Sequence, residues 1–414
     1  MDDTTAISQP QDKTRASYSA SPGYARLKRH FPTIAYLRRH ARRHIPHFAF
    51  EYMDGGAGSD DPGIRRNWAA LDAVEIVPRY GVMPSPPSCA VELFGRRYAA
   101  PIGVAPMGGP AIVWPGADKH LARAAQRARI PYTLGTPGGA TIEEIAAIAP
   151  DVFWFQLYRF ANNDHAVGLD LLRRAEAAGC HALVLTLDVP VRTTRPREAA
   201  VGLDGAVRIG PRMAIEALRT PSWLRALCTH GIPRFANLHA YAPANASLDD
   251  IIAFARREMA GAFTWEEVAT YRDRWKGVLI VKGILHPHDA ERAVALGVDG
   301  LVVSNHGGRQ VEALPAPIDV LPAIVAQVRG RATVLMDSGV RSGTDVVRAY
   351  ALGAACAFAG KAFLWGLGAL GEAGAGHVID LLIEETQGVL GQVGARTLEE
   401  TRALVIRHER AFSF

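Results

Sequence analysis

The 414-residue sequence predicts a closed (β/α)8 barrel, an α/β fold with an N-terminal helical extension and a long insertion after the fourth strand. Three observations carry this. From residue 100 onward, eight short apolar runs rich in β-branched residues recur: PIGVA (101–105), PYTL (131–134), VFWFQLY (152–158), ALVLTLD (182–188), GVLIVKG (277–283), DGLVVSN (299–305), TVLMDSG (333–339) and ACAFAG (355–360). One helical pattern separates most neighbours, as in ADKHLARAAQRAR, VGLDLLRRAEAAG, PHDAERAVALG and GTDVVRAYALG. Continuous apolar strands alternating with helices imply a parallel sheet covered on its outer face, and eight such units imply closure. Finally, no GxGxxG follows an early strand, so an open dinucleotide-binding sheet is unsupported.

Taken in order, residues 1–22 are polar and read as a disordered arm. Residues 23–99 form a helical segment and lead-in, and residues 100–414 form the barrel with its insertion at about 199–262. Residues 1–45 carry nine Lys/Arg against three Asp. Within them Ile34, Leu37 and Ala41 share one helical face, with basic residues opposite. His40 and His44 stand four apart without the Glu of an HExxH motif, and read as a solvated basic face. Roughly 90 residues separate the fourth and fifth strands, too many for an ordinary connection. Their middle sets Met213, Ile215, Leu218, Trp223, Leu224 and Leu227 among Arg212, Arg219 and Arg225. Such a stretch either lies on an anionic membrane surface or forms a lid or oligomer contact over the barrel mouth.

Bulk composition narrows the function. The chain is 49% apolar and 21% charged, with a net charge of +5. This suits anionic ligands but is far from a nucleic-acid-binding signature. Four widely spaced cysteines, with no CxxC, point to a reducing compartment and no structural zinc. No apolar run reaches the roughly 18 residues of a membrane span, and MDDTT begins no secretory signal. The expected location is the cytoplasm, with peripheral contact at the inner face of the membrane as the alternative.

In such a barrel, chemistry belongs at the C-terminal ends of the strands. The first run ends in Pro106-Met107-Gly108-Gly109, the third holds Gln156 and Tyr158, and the fourth ends in Thr186 and Asp188. The fifth ends in Lys282, the sixth in Ser304, Asn305, His306 and Arg309, the seventh in Asp337, Gly339 and Arg341, and the eighth in Gly360 and Lys361. Buried polar groups need partners, but that need alone predicts one or two such ends, not seven. The glycines and cations of DSGVRSGTDV and AGKAF suit a phosphate beside a helix N-terminus. His306, Arg309 and Arg197 are left for a second ligand: arginine forks match carboxylates, and a neutral His oriented by Asp188 can take a proton. The residues thus describe a phosphorylated cofactor plus a small carboxylate.

At this point FEYMDGGAG, APMG, FQLY, LTLDVP, IVKGI, SNHGGRQ, DSGVRSG and ALGA together resemble the FMN-dependent α-hydroxy acid oxidases and dehydrogenases, from about Ile45 to the C-terminus. SNHGGRQ with DSGVRSG at this spacing is highly specific. The resemblance implies that Ser304, Gln156, Thr186 and Lys282 contact the flavin ring, with the Pro106-Met107-Gly108 backbone beside it. It implies that Asp337, Gly339, Arg341, Gly360 and Lys361 hold ribityl and phosphate. It makes His306 the base paired with Asp188, Arg309 and Arg197 the carboxylate ligands, and Tyr52 and Tyr158 hydrogen-bonding partners of the substrate. The implied reaction is oxidation of a small L-2-hydroxy acid, L-lactate first, to the 2-oxo acid. His306 is the base and flavin N5 accepts the electrons, which pass on to a quinone or protein acceptor. An O2-using oxidase that makes H2O2 is the alternative. Barrels of this family commonly form tetramers. Three departures stand out: Gly360-Lys361 replaces the usual Gly-Arg, Gly135 replaces a flavin-touching Ser with Thr136 next to it, and VPVRTTRPREAA is slightly long, which makes Arg195 a second candidate beside Arg197. Gly108, where oxidases often carry Ala, favours a dehydrogenase.

Overall fold

A computed structural model describes residues 20–82, 87–191, 193–203, 210–242, 248–259 and 261–414. The expected N-terminal arm lies outside these residues up to position 19. Its last residues are held: the Ser21 amide donates to both Asp380 oxygens at 3.2 Å.

All eight predicted runs are strands of one closed parallel barrel. They are β1 (Ile102–Val104), β2 (Tyr132–Gly135), β3 (Phe153–Leu157), β4 (Ala182–Thr186), β5 (Val278–Ile284), β6 (Gly300–Val303), β7 (Thr333–Met336) and β8 (Ala357–Ala359). Strand β8 pairs with β1 through Ala357–Ile102 and so closes the ring. The strands are buried almost throughout, as continuous Val, Ile and Leu runs require when helices cover the outside. Below, the hairpin Val91–Leu93/Arg96–Tyr98 seals the N-terminal end. Phe94 and Tyr98 pack edge-on against Trp154 of β3.

The predicted basic helix spans Ile34–His44 and buries Ile34, Leu37 and Ala41. Its apolar face lies on the helix Lys361–Leu370 that follows β8, where Gly368 lets Ala41 approach closely. This brings the next helix, His47–Asp54, to the barrel mouth.

The insertion holds both buried and exposed apolar residues. Trp223 is buried: its Nε1 donates to the Val113 carbonyl at 3.1 Å and its ring meets Phe48 edge-on. Phe235, Ile252, Ala255 and Met259 line the cavity over the mouth. The helix Pro211–Leu218, by contrast, buries none of its residues, and Ile215 and Leu218 are 48% and 69% exposed. None of the described helices is long and apolar enough to cross a membrane.

Candidate active site

The SNHGGRQ loop follows β6 and is forced into a tight turn. His306 adopts a left-handed backbone (φ 58°), uncommon for any residue other than Gly. Gly308 (φ 72°) lies so near the Gly63–Ile64 backbone that a Cβ would meet it at 2.8 Å. Neighbouring side chains hold the turn. Asn305 and Asn67 exchange amide hydrogen bonds at 2.7 and 2.9 Å, and Asn305 Oδ1 also accepts from Gly308 N. The Ser304 hydroxyl accepts from His306 N, and the Ser338 hydroxyl from Gly307 N. With the backbone pinned, His306 and Arg309 both face one cavity.

Beneath His306 lies a buried charge network. His306 Nδ1 is 2.9 Å from Asp188 Oδ1, and Lys282 Nζ is 3.3 Å from Asp188 Oδ2 and 3.4 Å from Asp337 Oδ2. Lys282 also donates to the Ser304 hydroxyl at 2.8 Å. Gly283 (φ 104°) makes this approach possible, since a Cβ there would lie 2.5 Å from that of Asp188. Burial raises the Asp188 pKa, but Lys282 and His306 outweigh it and hold the carboxyl down at about 2. An ionised Asp188 only accepts, so Nδ1 carries the imidazole proton and Nε2 is the basic nitrogen. Burial lowers the His306 pKa, as do Lys282 and Arg195, while Asp188 pulls it up. Burial also opposes the charge of Lys282, but Asp188 and Asp337 raise its pKa and keep it a cation. Tyr158, pushed up to about 12 chiefly by burial and next by Asp188, stays a donor.

The two candidate arginines separate cleanly. Arg195 lines the cavity with Arg309, whereas Arg197 does not. Arg197 is bound instead to Glu51 (2.5 Å), Asp54 (3.1 Å) and Asp61 (2.7 Å), carboxylates of the N-terminal segment. Arg197, expected at the substrate, is thus turned away from the cavity, and Arg195, the second candidate, lines it. Arg309 Nη1 donates to the carbonyls of Tyr52 and Gly55, both at 2.9 Å, and Nη2 pairs with Glu198. Glu198, which sequence reasoning missed, also takes Arg195 Nη1 at 3.3 Å. Its three-residue spacing from Arg195 was the one available signal. Asn67 and Ser338 were missed as well.

The cavity has a volume of about 580 Å³. Pro106, Met107, Gly108, Lys282, Asp337–Val340, Gly360 and Lys361 are among its lining residues. Gln156 lies just behind, its Nε2 donating to Thr186 Oγ1 at 2.9 Å. The Thr136 hydroxyl is used between strands, donating to the Gln156 carbonyl and accepting from Tyr158 N. Tyr52 Oη donates to the Gly108 carbonyl at 2.6 Å. Lys361 stands at the N-terminus of helix Lys361–Leu370, its Nζ donating to the Met53 and Gly55 carbonyls at 2.7 Å. Arg341, expected at the phosphate, is not among the lining residues; it pairs with Asp72 and Asp345 and sits over Trp68. Gln310 Nε2 lies buried at the cavity with no partner among the described residues.

The profile of a family described as FMN-dependent dehydrogenase matches residues 41–408. An L-lactate dehydrogenase of Ectopseudomonas mendocina (strain ymp) is 37% identical over 375 residues, covering 90% of this chain and 98% of that protein. One from Pectobacterium atrosepticum is 38% identical over 364 residues, 88% of this chain and 93% of the relative. Among solved structures, (S)-mandelate dehydrogenase, described as a monotopic membrane protein, superposes with a TM-score of 0.85 at 32% identity, covering 91% of this chain and 99% of that one. A mandelate oxidase solved with (S)-4-hydroxymandelic acid gives 0.78 at 35% identity, with coverages of 91% and 99%.

Proposed function

Because the chain belongs to the FMN-dependent dehydrogenase family, we propose that it oxidises a small L-2-hydroxy acid, L-lactate first, to the 2-oxo acid and passes the electrons to a quinone or protein acceptor. One observation carries the site assignment: a neutral, oriented His306 faces the same cavity as Arg309 and Arg195, with Arg256 of the insertion also in its lining.

The residues suit the cofactor. Gly339 and Gly360 bring backbone close at the end where Lys361 and a helix N-terminus offer N–H donors; burial and the nearby Arg309 lower the Lys361 pKa, and a bound phosphate would raise it again. Lys282, Gln156, Thr186 and Ser304 stand where a flat polar ring needs partners, and Lys282 offers a fixed cation to charge that develops there. FMN, when bound, supplies the two-electron acceptor. The protein supplies the rest. Arg309 and Arg195 bind the substrate carboxylate, while Tyr158 and Tyr52 orient the hydroxyl. Oxidation removes two electrons and two protons, and His306 Nε2 takes one of those protons. Asp188 then faces an imidazolium and stabilises it. Lysine in place of arginine at position 361 holds phosphate as a point charge without the fork.

The test is an absorption spectrum under anaerobic conditions, before and after L-lactate, followed by air. The expected result is a yellow protein that bleaches with L-lactate, recolours slowly in air and recolours fast with a quinone. Fast recolouring in air with peroxide formation would make it an oxidase. A colourless protein that cannot be reconstituted with FMN would overturn the assignment.

The exposed helix Pro211–Leu218 supports a peripheral membrane contact. It carries Ile215 and Leu218 beside Arg212 and Arg219, an apolar and basic surface suited to anionic lipid. The likeness to a monotopic membrane protein favours the same reading. In co-sedimentation with phosphatidylglycerol-containing vesicles, Ile215→Asp with Leu218→Asp should reduce binding roughly tenfold or more, by loss of buried apolar area. Unchanged binding would exclude this helix as the contact.

A further inference from the structure

Glu198 is the one carboxylate that pairs with both Arg309 and Arg195 among the described residues. It is 4% exposed and sits on the short helix Pro196–Ala200 after β4. A single oxygen, Oε1, pairs with Arg309 Nη2 and, at 3.3 Å, with Arg195 Nη1. Arg195 Nε donates to the Arg309 carbonyl at 3.1 Å, so the two residues are also joined through backbone. A guanidinium has five N–H donors. Arg309 uses three, on Tyr52, Gly55 and Glu198; Arg195 uses two, on the Arg309 carbonyl and Glu198. The donors left over on both side chains belong to groups that line the same cavity.

A carboxylate here is unexpected on electrostatic grounds alone. It competes with a carboxylate-bearing substrate for the same two cations. It also lies where two buried like charges would otherwise repel and swing apart. We infer that Glu198 is a positioning residue: it holds the Arg309 and Arg195 guanidinium groups in one fixed arrangement, so that their remaining N–H edges form a preset fork for the substrate carboxylate. The inference rests on the proposed function, since it presumes that the two arginines receive that carboxylate. Preset donors need no reorganisation when the substrate enters, which is what orientation requires. The fork also carries two positive charges against one negative, so an incoming monoanion brings the trio of side chains to neutrality.

The test uses the flavin-loaded, full-length protein. The Kd of pyruvate is read from its perturbation of the flavin spectrum, and KM and kcat for L-lactate are measured separately. Glu198→Ala is expected to raise the pyruvate Kd and the lactate KM at least tenfold and to lower kcat as well. Glu198→Gln, which keeps an acceptor oxygen at this place, is expected to stay within about threefold of the unmodified protein. A residue needed only for stability would lower Tm in both variants and leave Kd alone. Values within twofold for Glu198→Ala, or equal losses in the two variants, would overturn the inference. If the alanine variant loses its flavin, Glu198→Asp takes its place: one methylene shorter, it cannot span both arginines and is expected to raise Kd at least threefold, and an unchanged Kd would overturn the inference. The two failures are distinguishable. An inert Arg309→Met variant would remove the arginines from the site, whereas a crippled Arg309→Met beside an inert Glu198→Ala would remove only Glu198.

Discussion

Replacing His306 with glutamine should leave the protein yellow and slow its reduction by L-lactate by about 10²- to 10⁴-fold, the range expected for loss of a general base. Flavin retention is expected because His306 touches the cofactor end of the cavity only through Ser304 and Asp188, which remain. The pH profile sharpens the expectation. The base works when neutral, and burial, with Lys282 and Arg195, lowers its pKa below the ordinary 6.5. The imidazole is therefore protonated only at lower pH. The rate should rise with pH and flatten above a midpoint below 6.5. In the glutamine variant that acid limb should vanish. Anaerobic stopped-flow reduction across pH measures both, and near-unmodified reduction would remove His306 as the base.

Arg309→Met should lower kcat/KM for L-lactate by about 30- to 5,000-fold, the span that corresponds to losing one partner of a buried, hydrogen-bonded charge pair. Methionine fills similar space but makes none of the links to Tyr52, Gly55 and Glu198. Of the two arginines that Glu198 joins, only Arg195 is then left to the substrate carboxylate. Both parameters should suffer: KM rises because binding is lost, and kcat falls because a substrate held by one arginine meets His306 in fewer productive orientations. Steady-state kinetics with a quinone or dye acceptor reads this directly. An unchanged kcat/KM would place the carboxylate elsewhere.

The barrel was legible because its strands are continuous apolar runs, which leave a parallel, covered sheet as their natural arrangement. The polar lining of the cavity was legible where polar residues end those strands, as with Lys282, His306 and Asp337. It was less so where a side chain's direction depends on a loop. Arg195 and Arg197 are two apart, and which one faces inward is decided by where Pro196 begins a five-residue helix. The sequence holds no sign that Glu51, Asp54 and Asp61, more than 130 residues earlier, wait for Arg197. Trp223 raised the same difficulty. An aromatic among arginines suits a membrane surface equally well, and only the distant Phe48 and the Val113 carbonyl make it a buried residue. Arg341 looked like a phosphate ligand by its loop, but Asp72 competes for it.

The carbonyl of Gly55 accepts from both Arg309 and Lys361. One peptide oxygen from the N-terminal segment thus ties the loop after β6 to the helix after β8. The chain emerges from synthesis with that oxygen early and the lysine some 300 residues later. Until the last strand closes the ring, the two side chains have no shared anchor and the cavity is unfinished. Uptake of the prosthetic group is accordingly expected to be a late event in maturation, and a truncated product that stops short of β8 is expected to be made without colour.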